Sequence, residues 1–213
     1  MLRKFIPAVA AAALLLAGPA AALSAKGAVG KLNDGIEALQ KGDAATAVPL
    51  IGEAIDSGKL EGENLFLAYF TRGAGYAMLQ QCPNAIPDFD KAIAMKATDP
   101  QVFAQRGSCL AQTGEAEKAV ADLKQAAALA PDNKEYAEFH CAVAFNGKIH
   151  AEAGPACENA VLKFSPDNKE LVQAAAQSYE AAGNKAKANE MWKKLLALDP
   201  ASEAAKQGVQ RTA

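Results

Sequence analysis

Motifs that carry chemistry are scarce in this chain. Among 213 residues there are two histidines, His140 and His150, and four cysteines, Cys82, Cys109, Cys141 and Cys157. No Cys-x-x-Cys pair occurs, so a thioredoxin-like redox centre is not indicated. There is no Gly-x-x-x-x-Gly-Lys phosphate loop and no His-Glu-x-x-His zinc helix. The two histidines with Cys141 and Cys157 lack the short paired spacings of a metal site, so neither metal nor cofactor is expected. Asp88, Asp90 and Asp122 read as a solvated helix face rather than an acid/base pair, and catalysis is not expected. Aromatics are few as well: eight Phe, four Tyr and one Trp, which disfavours a large sandwich or barrel. Charge of one sign is missing too. The 22 basic and 24 acidic residues give a formal charge of −2, without the field that a nucleic-acid surface needs. Nucleic acid is therefore excluded as the expected partner.

What is abundant is alanine, with 51 residues, a composition that points to closely packed helices. Part of it belongs to the amino terminus, MLRKFIPAVAAAALLLAGPAAALSA. Arg3 and Lys4 form a basic start, Phe5 to Ala17 an apolar run, Gly18-Pro19 a break, and Ala20 to Ala22 a small-residue stretch. That is the order of a secretory signal peptide over residues 1–22, cut after Ala22 or after Ala25. The alternative is an inner-membrane anchor retained through residues 5–25, since about 20 apolar residues cross a bilayer. With the segment removed, the mature chain is a mildly acidic, periplasmic or secreted protein without stable membrane insertion.

The rest of the chain repeats. Tyr69–Ile93 aligns with Phe103–Ala127, superposing Arg72-Gly73 on Arg106-Gly107, Ala85 on Ala119, Phe89 on Leu123 and Ala92 on Ala126. Pro131-Asp132-Asn133-Lys134-Glu135 recurs as Pro166-Asp167-Asn168-Lys169-Glu170. A period of about 34 residues is the mark of a helical-repeat array. The order of bulky, small, aromatic, turn, small, bulky, small and proline positions is clearest in Val172, Ala176, Tyr179, Gly183, Ala188, Trp192, Leu195 and Pro200. It appears again in Phe103, Gly107, Leu110, Gly114, Ala119, Leu123, Ala126 and Pro131. A weaker copy has Ala137, Cys141, Ala144, Gly147 one place early, Ala153, Cys157 and Ala160. The weakest has Gly35, Ala38, Gly42, Ala47, Ile51 and Ala54.

This pattern resembles the tetratricopeptide repeat family, in its exported bacterial type. The resemblance implies an all-α fold, a right-handed α-solenoid of about five helix hairpins. A degenerate first pair would span 23–61, four repeats about 66–99, 100–133, 134–168 and 169–202, and a frayed partial cap 201–213. Gly58 to Asn64 is the loosest connector and the expected hinge. Small residues such as Gly73, Gly107 and Ala176 would let the two helices of a pair approach, with Tyr76, Phe89 and Trp192 filling the space beside them.

In an antiparallel hairpin turning near Lys148 to Ala151, Cys141 falls level with Cys157, and a disulfide there suits an exported protein. Closing that loop would add about 3 kcal/mol in chain-entropy terms. Cys82 and Cys109 are candidates for a second bridge, with levels that match less well.

The family's binding face is the inner side of the first helices. Carried over position by position, it comprises Leu67, Phe70, Ala74 and Ala77, then Gln101, Ala104, Gln105 and Ser108. Farther along come Glu138, Phe139, Ala142 and Phe145, then Gln173, Gln177 and Glu180. Phe70, Phe139 and Phe145 are either aromatic anchors or ordinary packing. Arg72 and Arg106 read first as braces for neighbouring acidic side chains. The expected function is an adaptor that binds a protein or peptide. The alternatives are a self-associating envelope module and an accessory protein that binds cell-wall glycan.

Overall fold

The computed structural model describes residues 22–96 and 98–213. The address segment expected at the amino terminus lies outside the described residues up to position 21. Eleven α-helices and no strand are found among the described residues, and they fall into two compact units divided after Cys109.

The first unit contains α1 (Ala22–Gln40), α2 (Ala44–Asp56), α3 (Gly62–Met78), α4 (Cys82–Met95) and most of α5 (Pro100–Gln112). Helix α1 packs on α2, α2 on α3 and α3 on α4, and α1 also touches α3. Leu32, Leu39, Ala47, Ile51 and Ala54 form the core of the first pair. A Cβ on Gly35 would overlap the Ile51 side chain, so the weakest copy of the repeat keeps the family's close approach. Phe66, Phe70, Phe89, Val102 and Cys109 form the second core cluster. The expected hinge is tethered: Leu60 is buried in the first cluster, between Gly58 and Gly62 at positive φ.

The second unit contains α6 (Ala116–Leu129), α7 (Lys134–Asn146), α8 (His150–Lys163), α9 (Lys169–Ala181), α10 (Lys185–Leu198) and α11 (Glu203–Thr212). Each again packs on its successor, while α7 touches α9 and α9 touches α11. The core runs through Cys141, Cys157, Val172, Ala176, Tyr179, Met191, Trp192 and Leu195. The recurring Pro-Asp-Asn-Lys-Glu segment starts α7 and α9. Asn133 and Asn168 accept from the backbone N–H of Tyr136 and Leu171, with Glu135 and Glu170 in the first turn. This satisfies one orphan donor at each start and sets a carboxylate against the helix dipole.

Each pair turns at one left-handed residue: Gly42, Gln80, Gly114, Lys148 and Gly183. In the fourth pair the chain does not shift to use Gly147. Lys148 takes the left-handed conformation instead, so repeat register prevails over the preference for glycine. Proline placement shows a second regularity. Pro49, Pro87 and Pro155 lie inside α2, α4 and α8 at equivalent positions, with exposed rings.

The carboxyl terminus departs from the frayed cap expected. Ser202 caps α11 through the Ala205 N–H, and Ala205, Gly208 and Thr212 make a buried stripe. The Trp192 ring lies so close to Gly208 that a Cβ there would overlap it. Asn189 on α10 donates to the Val209 carbonyl and to Thr212 Oγ1, and Arg211 pairs with Glu180 on α9 at 2.6 Å. Small residues at helical spacing give α11 its seat, and these polar contacts fix its register.

Candidate partner-binding faces

The geometry within a pair is set where two helices come closest. In the second pair this point is Gly73 on α3 against Phe89 on α4, where an added Cβ would lie 2.8 Å from the Phe89 ring. The equivalent point of the fourth pair is Cys141 against Cys157, whose Cα atoms are 4.6 Å apart, within the span of a disulfide. The repeat therefore brings those sulfurs together without moving the backbone. Cys82, the first residue of α4, meets Cys109 on α5 with Cα atoms 5.0 Å apart. Their levels match better than hairpin geometry implied, because this pairing runs between successive helix pairs rather than within one.

The residues just before the close-contact points carry the electrostatics. Arg72 holds Asp88 in a two-pronged ion pair, Nε to Oδ2 at 2.7 Å and Nη2 to Oδ1 at 2.8 Å. The hydrogen bond to Asp88 raises the guanidinium pKa against the opposing effect of burial. Arg106 pairs with Asp90 at 2.7 Å. Both arginines thus brace acidic side chains. The solvated-face reading fits Asp90, which is exposed, but is corrected for Asp88, 3% exposed, and for Asp122, also buried. On α4 that side faces α3, and the buried charge of Asp88 is retained because Arg72 pairs with it. The signal was present in the sequence: Arg72 and Arg106, Asp88 and Asp122 share the repeat spacing.

In the fourth pair His140 occupies the place of Arg72, and Ala156 that of Asp88. The imidazole is buried, its Nε2 has no protein hydrogen-bond partner, and burial lowers its pKa. At the junction of the fourth and fifth pairs, His150 and Ser178 stand where Cys82 and Cys109 stand between the second and third. Their buried Nδ1 and Oγ likewise lack a protein partner.

The inner-face positions divide by access. In the first unit Leu67, Gln101, Ser108 and Ala77 are half-buried, whereas Phe70, Ala74, Ala104 and Gln105 are buried. The Phe70 ring lies 6.2 Å from Phe66 and 6.3 Å from Phe89, and buried Gln105 Nε2 has no protein hydrogen-bond partner. In the second unit Phe139 is buried, while Phe145 is half-buried against the core. Glu138 and Ala142 are half-buried, as is Gln173, and Gln177 is exposed. Glu138 accepts from Ser165 Oγ at 2.7 Å and lies 3.6 Å from Lys134 Nζ.

Glu180 is fully engaged. It accepts from Trp192 Nε1 at 2.9 Å and from Arg211, and the Arg211 hydrogen bond, ahead of that from Trp192, lowers its carboxyl pKa. Nearby, burial and then Glu158 push the Tyr179 phenol up. Burial alone would raise Glu158, but hydrogen bonds from Lys187 and Tyr179 outweigh it and hold the carboxyl down. These side chains hold α8, α9 and α10 together. Of the inner-face positions on α7 and α9, Glu138, Ala142, Phe145, Gln173 and Gln177 stay accessible without being tied up as Glu180 is. No helix among the described residues is long and apolar enough to cross a membrane.

Similarity to known proteins follows this geometry. The tetratricopeptide repeat profile matches residues 100–133, and no curated protein sequence matches the chain. The solved structure of the protein MamA is 20% identical, with a TM-score of 0.65 over 82% of this chain and 93% of its own. YrrB, described as a tetratricopeptide-repeat protein with an unusual peptide-binding site, is 18% identical, with a TM-score of 0.67 over 91% of this chain and 100% of its own. A tetratricopeptide-repeat protein from Parabacteroides merdae is 14% identical, with a TM-score of 0.62 over 88% and 72%. Residues 100–133 are a tetratricopeptide repeat, and the chain has the fold of the tetratricopeptide-repeat proteins.

Proposed function

We propose that the protein is an exported, periplasmic adaptor that binds a protein or peptide through the inner faces of its first helices. The observation that carries this reading is the row on α7 and α9. A half-buried ring, Phe145, and the polar side chains of Glu138, Gln173 and Gln177 lie on α7 and α9, two helices that touch. An aromatic anchor supplies contact area, and flanking amides pair with a peptide backbone in either sense. YrrB, of like fold, has a peptide-binding site by its description. Export rests on the basic, apolar and small-residue order of the first 22 residues.

Photo-crosslinking in cells from Phe145, Gln177 and Leu67 tests the proposal, with Leu162, 63% exposed on α8, as the outer control. Discrete adducts from the first three positions and none from Leu162 are expected. Adducts from Leu162 alone would refute binding by the first helices. Adducts containing only a second copy of the chain would favour self-association.

A further inference from the structure

The two cysteine pairs sit in unlike surroundings. Cys141 and Cys157 each lie two turns inside a helix, at the closest approach of a pair, between buried neighbours such as His140 and Ala156. Cys82 instead opens α4. The residues before it, Leu79 to Gln81, are exposed, and Gln80 has φ +61. Gln81, at the cap position, caps no backbone N–H of the helix with its side chain, whose Oε1 accepts instead from the Asn84 amide at 3.3 Å. An uncapped first turn frays readily. A thiolate released at the first residue of α4 lies at the positive end of the helix dipole, so Cys82 is the better leaving group.

We propose that Cys82–Cys109 is a thiol–disulfide exchange site that clasps the second helix pair to the third, while Cys141–Cys157 is a permanent staple within the fourth. Fraying of the first turn of α4 uncovers the bridge. A thiolate of an external dithiol attacks Cys109 Sγ, the Cys82–Cys109 bond breaks, and its electron pair leaves on Cys82 Sγ. The second thiolate of the donor then attacks the donor's own sulfur in the mixed disulfide. The donor leaves as a disulfide, and Cys109 is released. Two electrons and two protons pass from donor to protein, and α4 is freed from α5.

This proposal is independent of the partner-binding reading. Its test uses the full chain, purified oxidised and treated with dithiothreitol under native conditions. Timed iodoacetamide quenching and peptide mass mapping follow the thiols. Cys82 and Cys109 should be alkylated about tenfold or more faster than Cys141 and Cys157. Appearance of all four together, earlier labelling of Cys141 and Cys157, or the absence of a Cys82–Cys109 bond in the purified protein would overturn it. Gln81→Asp supplies both a cap and a negative charge beside the leaving thiolate. It should slow reduction of Cys82–Cys109 several-fold and leave Cys141–Cys157 unchanged. An unaltered rate at Cys82–Cys109 would show that the first turn of α4 is not the gate.

Discussion

The second and fifth helix pairs solve the same packing problem in opposite ways. Beside the close-contact point of the second pair, Arg72 and Asp88 form a buried ion pair. At the equivalent places of the fifth pair stand Ala175 and Met191, both buried and both apolar. The contact point differs as well: Gly73 accepts the Phe89 ring, whereas Ala176 lies in one core cluster with Trp192. The repeat therefore demands filled volume and closely approaching helices at these places, and is indifferent to whether charge or hydrocarbon supplies the filling. An ion pair costs desolvation that a hydrocarbon pair does not, but once buried it cannot lose one member cheaply.

The largest effect expected follows from that asymmetry. Asp88→Ala leaves the guanidinium of Arg72 in a largely buried place without its carboxylate, and should destabilise the protein by about 3–5 kcal/mol. The double variant Arg72→Ala with Asp88→Met copies the fifth pair into the second, and should recover most of that loss. Urea unfolding with parallel fluorescence and circular dichroism measures both. If the double variant is no more stable than Asp88→Ala, the equivalence of the two pairs fails.

The contact point gives the next effect. Gly73→Ala places a methyl group against a ring held between α3 and α4, and should cost about 1–3 kcal/mol by overpacking. Ala176→Gly, the reverse exchange in the fifth pair, loses a buried methyl and frees a helical backbone, at about 1 kcal/mol. Opposite substitutions that both destabilise would show that each pair is fitted to its own filler. A stabilising Gly73→Ala would instead mean that α4 shifts without cost and that the glycine is not required by Phe89.

Much of the fold was legible in sequence spacing, because helical hairpins must present small and bulky residues in register to stack at all. Even the first pair, with Lys31 and Asp34 at usually apolar places, keeps its Gly35 and Ile51 contact. Spacing gives the angle of a side chain around its own helix, but not which other helices cover it. Phe70 and Phe139 were therefore legible as first-helix aromatics and not as buried ones. The same limit applied to Asp88, whose polar character reads as exposure until Arg72 is seen to face it. Lys148 in the left-handed turn and Leu60 tethering the connector depend on register and on neighbours distant in sequence. The order of α11 lay in the spacing of Ala205, Gly208 and Thr212, a stripe too short and too polar around it to be read as apolar.

The fourth pair lies between the two solutions and offers the smallest effect, one visible in its pH dependence. His140 holds the place of Arg72 while Ala156 leaves the acidic place empty of charge. The charged groups nearby are Lys124 on α6 and Glu152 on α8, themselves paired at 3.0 Å. Burial, the largest influence, lowers the imidazole pKa below its ordinary value of 6.5, with Glu152 opposing and Lys124 assisting. Between the lowered pKa and 6.5 the unfolded chain binds more protons than the folded one, so stability increases with pH across that window. The contribution of His140 is therefore fully present above pH 6.5, and is lost as pH falls from there toward the folded value. Urea midpoints measured at roughly pH 5 to 7, above the carboxylate range, should decline on acidification in the parent and less steeply in His140→Leu. Ala156→Asp supplies the partner that Asp88 gives Arg72 and should reverse the sign. With the imidazolium paired, its folded pKa exceeds the unfolded value, and the added stability is complete below 6.5 and lost as pH rises. If His140→Leu keeps the parent slope, other groups set the acid response, and the fourth pair belongs with the apolar fifth rather than between it and the second.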